Sequence, residues 1–198
     1  MIEDNGVGNI VNISDTSQLA DGLKIRLFGS NNTLIISDGT KIVGGLFEIR
    51  GNNSIICIGN NCIINGHIRC RSNNSKIIIS DSTTINFAQI TTHEEGDIVI
   101  GKDCMLSGDI RMDVSDMHSI IDMATNRRIN PPASISIGDH VWIAQGVTIA
   151  KGVSIGAGSV IGAKSFVNTH VEKNCIYAGV PAKKIKENIS WDRKILPL

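Results

Sequence analysis

Residues 137–172, taken in sixes, read IGDHVW, IAQGVT, IAKGVS, IGAGSV, IGAKSF, VNTHVE. An aliphatic residue leads each six: Ile137, Ile143, Ile149, Ile155, Ile161 and Val167. A small or branched residue stands four places further on each time: Val141, Val147, Val153, Ser159, Ser165 and Val171. A period of six matches neither the turn of an α-helix nor the alternation of a simple strand. It predicts a coil of short flat strands with a turn after each one, stacked into a solenoid. The lead residue faces inward and the second column fills the corner.

Outward from this stretch, the first hundred residues repeat with a longer period. Asn31-Asn32-Thr33, Asn52-Asn53-Ser54 and Asn73-Asn74-Ser75 stand 21 residues apart, and Glu95-Gly96-Asp97 follows 22 after Asn73. Each is followed by an isoleucine-rich strand and then a turn. One such period is a coil of three sixes widened by about three residues at one corner, and residues 8–29 read as a worn first copy. The stacked asparagines suit either turn ladders or left-handed backbone angles.

The composition agrees. Thirty-five isoleucines and 12 valines stand against 8 leucines, a bias toward side chains branched at Cβ that suits a pleated surface and disfavours a helical bundle. Nineteen basic and 19 acidic side chains cancel, which argues against nucleic-acid binding through a basic surplus. The opening residues lack the basic and apolar regions of a signal peptide, and no apolar run reaches the ~18 residues a membrane span needs. A cytoplasmic protein without membrane insertion is therefore expected. The five cysteines (57, 62, 70, 104, 175) form no CxxC pair, so neither a zinc site nor a disulfide framework is expected. Cys62 and Cys104 fall in the small second column.

Two segments break the register. Residues 113–133, DVSDMHSIIDMATNRRINPPA, form a polar excursion of about 112–134 in which specific chemistry is expected, because loops carry function on a rigid scaffold. After Pro181 the spacing of Ile185, Ile189 and Trp191 predicts a short C-terminal α-helix. The expected organisation is an all-β solenoid over residues 1–180 and a helix or tail over 181–198.

The sixes, together with SDMHSI (115–120), IGDHVWI (137–143) and AGVPAKKIK (178–186) in that order, resemble the hexapeptide-repeat acyltransferases. Within that family they are similar to bacterial sugar and capsular polysaccharide O-acetyltransferases of the polysialic acid type. The resemblance implies a left-handed parallel β-helix, acetyl-CoA as acyl donor, no metal, and a homotrimer with active sites between subunits. It implies that His118 is catalytic and that Trp142 lies near the thioester. Gln145 then offers its backbone N–H, and Ala144, Gly162 and Ala163 line the cofactor arm. Asn168, Thr169, Lys183 and Lys186 are placed near the phosphates and adenine, and Asn86 toward the acceptor.

Acyl transfer to a hydroxyl needs a base, donors for the developing oxyanion and two substrates held together. Histidine suits the first role, since it titrates near neutrality. Asp113 and Asp116 either orient His118, bind the acceptor or cap turns. His140, two residues before Trp142, lines the same cleft or a turn. Arg127 and Arg128 meet an acidic saccharide or stay solvated, since an arginine fork matches a carboxylate. The alternative acceptor is the amine of a nucleotide sugar. A zinc enzyme on this scaffold needs closely spaced histidines, whereas His93, His118, His140 and His170 stand 22 to 30 apart. An unbroken solenoid with outward threonine ladders, the mark of a purely structural role, is not present.

Overall fold

The computed structural model describes residues 1–197; Leu198 lies outside the described residues. The chain winds into a parallel β-solenoid of about eight turns. One side is a seven-stranded parallel sheet running from Ile10–Ile13 through Thr33–Ile36, Ile55–Ile58, Lys76–Ile79, Asp97–Ile100 and Ile135–Ile137 to Ser154–Ile155. A fourteen-stranded sheet wraps the other sides. Registers are in step, so like residues stack: Ile36, Ile58, Ile79, Ile100, Ile137 and Ile155 form one inward column, each at most 3% exposed. Burying a side chain of this size contributes ~1.5–3 kcal/mol, and this column repeats on every side. All six lead residues of the sixes are buried, and so is the whole second column. Cys62 and Cys104 are buried free thiols in that column.

The turns explain the asparagines. At one corner successive coils after the first place a residue in the left-handed region: Gly39, Asn61, Ser82, Asp103, His140, Gly158 and Asn174 all have φ between 51° and 72°. Asn31, Asn53 and Asn74 do the same at another corner. The ladders form as well. Asn52 Oδ1 accepts from the Ser30 N–H and Asn73 Oδ1 from the Asn52 N–H, both at 2.8 Å. The two readings of the asparagine stack therefore operate together, because an asparagine tolerates positive φ and its short amide reaches the next layer.

The expected C-terminal helix is corrected by the structure: no α-helix occurs among the described residues. Gly179, at φ 103°, turns the chain back, and Lys183–Lys186 pairs antiparallel with Ile176–Ala178. The last coil of a solenoid presents an open strand edge whose unpaired N–H and C=O groups favour an added strand. That demand outweighs a helical spacing of apolar residues, and Ile185 is left 67% exposed.

Candidate functional site

The excursion leaves the solenoid at the end of strand Ile110–Asp113 and rejoins it at Ile135. Its first turn carries His118. Ser115 Oγ accepts from the Met117 N–H at 2.8 Å, the His118 N–H donates to the Asp116 carbonyl at 2.8 Å, and Met117 is held at φ 63°. A non-glycine residue at positive φ just before an exposed histidine is backbone strain of the kind that concentrates at functional sites. The His118 ring makes no hydrogen bond among the described residues, so both nitrogens are free to act on a ligand.

The rest of the loop is tied down around this turn. Asn130, 7% exposed, uses its full hydrogen-bonding capacity. Its Nδ2 donates to Asp116 Oδ2 at 2.9 Å and to the His118 carbonyl at 2.8 Å, and its Oδ1 accepts from the Ile120 N–H at 2.7 Å and Arg128 Nε at 3.1 Å. Lys151, on the next coil, pairs with Asp116 at 2.6 Å. Glu94 receives both terminal nitrogens of Arg128, at 2.5 and 2.6 Å, and the Ser115 hydroxyl. The Arg128 and Ser115 hydrogen bonds hold the Glu94 carboxyl down at about 2. Asp113 turns toward the His93 ring instead of His118, and its Oδ1 also accepts from the Ser115 N–H at 3.1 Å. Arg127 and Arg128 form one arm of a two-residue hairpin with Ile121–Asp122. A cavity of about 300 Å³ opens beside Asp113, Ser115 and Met117.

A second cluster lies elsewhere. Trp142 stacks in register between Met105 and Val160, and its indole N–H is buried with no partner among the described residues. His140 has both ring nitrogens engaged, Nδ1 with Asp103 Oδ2 at 2.7 Å and Nε2 with the Trp191 carbonyl at 3.0 Å. Its ring stacks on Trp191 at 4.2 Å and 8°. The tail that carries Trp191 continues back along this corner. Arg193 donates to Asp103, Thr84, Ser82 and Cys104 oxygens at 2.9 to 3.4 Å. Further along, Ala144, Gly162 and Ala178 stack in a column of small residues, so close that a Cβ on Gly162 would come 2.7 Å from that of Ala178. Gln145, Ala163, Asn168, Thr169, Lys183 and Lys186 are exposed. Neither Lys183 nor Lys186 has an ion-pair partner among the described residues, whereas Lys184 is held by Glu172 at 2.9 Å and Glu187 at 3.4 Å. Asn86 lines a separate cavity of about 370 Å³ with Thr84 and Met105. No group of three metal-ligating side chains converges among the described residues.

The structure thus gathers Asp113, Asp116, His118 and Arg128 at one corner, and His140, Trp142 and the small column at another. Trp142 belongs to the row of Thr84 and Met105, and Asp113 to the row of Thr91. Those rows are seven residues apart on strand Thr84–Thr92, on either side of the register shift between Ile85 and Ala88, where the strand passes from one neighbour to another. Within one chain His118 and Trp142 make no contact. Glu94, Asn130 and Lys151 were not singled out by the sequence, and Trp191 was read only as part of a helical face. The structural register, which pairs Lys76 with Asp97, sets Glu94 beside Asn73, one place off the spacing read from the sequence.

A family model described as bacterial transferase hexapeptide (six repeats) matches residues 134–169. A polysialic acid O-acetyltransferase of Neisseria meningitidis is 37% identical over 196 residues, 98% of this chain and 91% of the relative. Two crystal structures share the fold closely. The polySia-specific acetyltransferase NeuO superposes with a TM-score of 0.89 at 37% identity, over 98% of this chain and 89% of that one. The polysialic acid O-acetyltransferase OatWY does so with 0.88 at 34% identity, over 99% and 93%.

Proposed function

The chain belongs to the hexapeptide-repeat transferases and is an acetyltransferase, and from that premise we infer that it moves an acetyl group from acetyl-CoA to a hydroxyl of an acidic cell-surface polysaccharide of the polysialic acid type. The observation that carries this reading is the built turn of Ser115 to His118, whose Ser115 and Met117 line a cavity and whose imidazole has no internal partner among the described residues, in a chain matched almost end to end by polysialic acid O-acetyltransferases.

In this reading His118 accepts the acceptor's hydroxyl proton as the oxygen bonds to the thioester carbonyl carbon. The tetrahedral intermediate then collapses, the carbon–sulfur bond breaks, and the imidazolium returns its proton to the departing thiolate. Holding both substrates in one ternary complex supplies the proximity such a step needs. The residues present suit acetyl-CoA. The unpaired Lys183 and Lys186 offer charge to phosphates, the Ala144–Gly162–Ala178 column leaves the surface shallow for an extended arm, and the orphaned Trp142 N–H is a donor awaiting an acceptor. The coil winds left-handed, as in the family that the repeat resembles.

The placement of the two clusters on different rows, with no hydrogen bond or ring contact joining His118 to Trp142 among the described residues, supports a site shared between copies, with His118 of one subunit facing Trp142 of another in a closed homotrimer. Light scattering at micromolar concentration is expected to give three times the chain mass; a fully active monomer would refute the shared site. The reaction itself is tested by thiol release from acetyl-CoA across sialylated, neutral hexose and amino-sugar acceptors. Turnover is expected with the sialylated set, and turnover with amino sugars alone would replace this reading by N-acylation.

A further inference from the structure

The cavity beside Ser115 and Met117 has a basic floor that neither the loop nor the sixes explain. Arg69 lies on strand Ile63–Cys70, in the row Glu48, Arg69, Thr91, Asp113. Its Nε is buried without a partner, and the guanidinium makes one long hydrogen bond, from Nη2 to Gln89 Oε1 at 3.4 Å. The carboxylates around it are committed elsewhere. Glu48, 2% exposed, is held by Arg50 at 2.8 Å and approached by Arg71 at 3.9 Å, and Asp113 pairs with His93. Burial, helped by Arg71, pulls the Arg69 pKa down in spite of the opposing charges of Glu48 and Asp113, neither of which pairs with it directly. A buried donor left unpaired calls for an explanation, and a partly desolvated charge without an opposite partner is costly. Across the cavity stands Arg111, exposed and only loosely met by Asp109 at 3.6 Å.

Two guanidinium groups with spare donors, facing one concave space, suit a planar anion with two oxygens, since an arginine fork bonds a carboxylate through parallel N–H groups. The volume of about 300 Å³ is at the lower end of small-molecule sites, sufficient for one sugar residue. Arg128, the other arginine at this corner, is already locked on Glu94. We propose that Arg69 and Arg111 bind the carboxylate of an acidic sugar residue of the acceptor, fixing which hydroxyl of the chain lies against His118. This deepens the reaction proposed above and rests on it for the role of His118. The carboxylate contact itself does not depend on turnover.

The test separates the two. Calorimetry measures binding of a sialic acid oligomer and of its carboxyl methyl ester, at fixed ionic strength, to the wild-type protein, Arg69→Gln, Arg69→Lys and Arg111→Gln. Wild type is expected to favour the acid over the ester by about tenfold or more, the scale of a charge-assisted fork. Arg69→Gln is expected to bring that ratio close to one, with Arg69→Lys between, because lysine keeps the charge and loses the fork. Equal binding of acid and ester by the wild-type protein overturns the proposal, and so does an undiminished ratio in Arg69→Gln. If Arg69→Gln does not fold, Arg111→Gln, at an exposed position, carries the same comparison. Acetyl transfer is followed in parallel. Transfer without discrimination between acid and ester leaves the reaction standing and removes this site, whereas discrimination without transfer keeps the site and removes the reaction.

Discussion

The side-chain amide of Asn130 donates a hydrogen bond to the backbone carbonyl of His118 at 2.8 Å, across 12 residues of looped-out chain. The same amide group grips Asp116, so one buried asparagine sets both sides of the turn that presents the imidazole. Asn130→Ala leaves four groups without their partner and is expected to cost ~1–3 kcal/mol of stability. Small misplacements of a base are expensive, so kcat is expected to fall by ~10–100-fold. The KM for acetyl-CoA is expected to hold, because the small column and the lysines are remote from this loop. Steady-state kinetics with each substrate varied checks the split, and a fall in kcat no larger than the loss of folded protein would reduce Asn130 to a structural residue.

His118→Ala is expected to lower kcat by ~10²–10⁴-fold, the usual value of a positioned base, with acetyl-CoA binding retained. No covalent acetyl-enzyme is expected. Burial pushes the Cys70 thiol up to about 12 and the Cys104 thiol to about 11, and neither lies in the loop. Mass spectrometry of the protein after exposure to acetyl-CoA alone checks this directly, since an added acetyl group on a cysteine or serine means a two-step route.

Lys183 and Lys184 are adjacent and differ in what they hold. Lys183→Ala is expected to raise the KM for acetyl-CoA by the equivalent of ~1–3 kcal/mol with kcat nearly unchanged, because a phosphate contact is made alike in the ground and transition states. Lys184→Ala, whose charge is already spent on Glu172 and Glu187, is expected to leave that KM close to wild type. Equal effects of the two substitutions would point to general charge and not to a placed contact.

The loop is pinned by an acid-sensitive bond. Glu94 has its carboxyl lowered from an ordinary 4.5 to about 2 by the Arg128 and Ser115 hydrogen bonds. A depressed carboxyl contributes stability that is fully present above the unfolded value and is lost as pH falls through the folded one. The hairpin of residues 121–128 is therefore expected to stay fixed from neutral pH down to about 4.5 and to loosen progressively toward about 2. Amide exchange of the loop against pH reads this, and Glu94→Gln should show the loosened loop at every pH. A loop already mobile at pH 7 in the wild-type protein would contradict it.

The scaffold was legible because its signal is additive. Each six repeats the same demand at Ile137, Ile143 and Ile149, and a misread residue in one layer is outvoted by its neighbours in the others. The turn carrying His118 was legible for the opposite reason, as the one long breach of that regularity. What failed was the stretch after Pro181, where the spacing of Ile185 and Ile189 imitates a helix. Sequence periodicity does not register the hydrogen bonds that an open sheet edge offers to an arriving strand. The contacts that tie the loop down were also invisible. Arg128 finds Glu94 at a separation of 34 residues and His140 finds Trp191 at 51, and pairs of that kind depend on which layers the coil brings level. The unpartnered state of Arg69 is likewise a property of burial, which the one-dimensional pattern does not express.

Solenoid layers that touch only their neighbours ordinarily melt one after another, each transition independent of layers further off. The returning tail changes that for part of this molecule. Trp191 seats on the layer of His140, while Arg193 reaches the layers of Asp103 and Ser82, spanning as many as 111 residues of sequence. Layers that would otherwise open singly are laced together, so those between Ser82 and His140 are expected to open only once the lace is released. Cooperativity, scarce in a linear stack, is expected to concentrate in the half of the protein that carries the His118 loop. The coils before Ser80, which the tail does not touch among the described residues, are expected to keep the sequential melting of an ordinary repeat array.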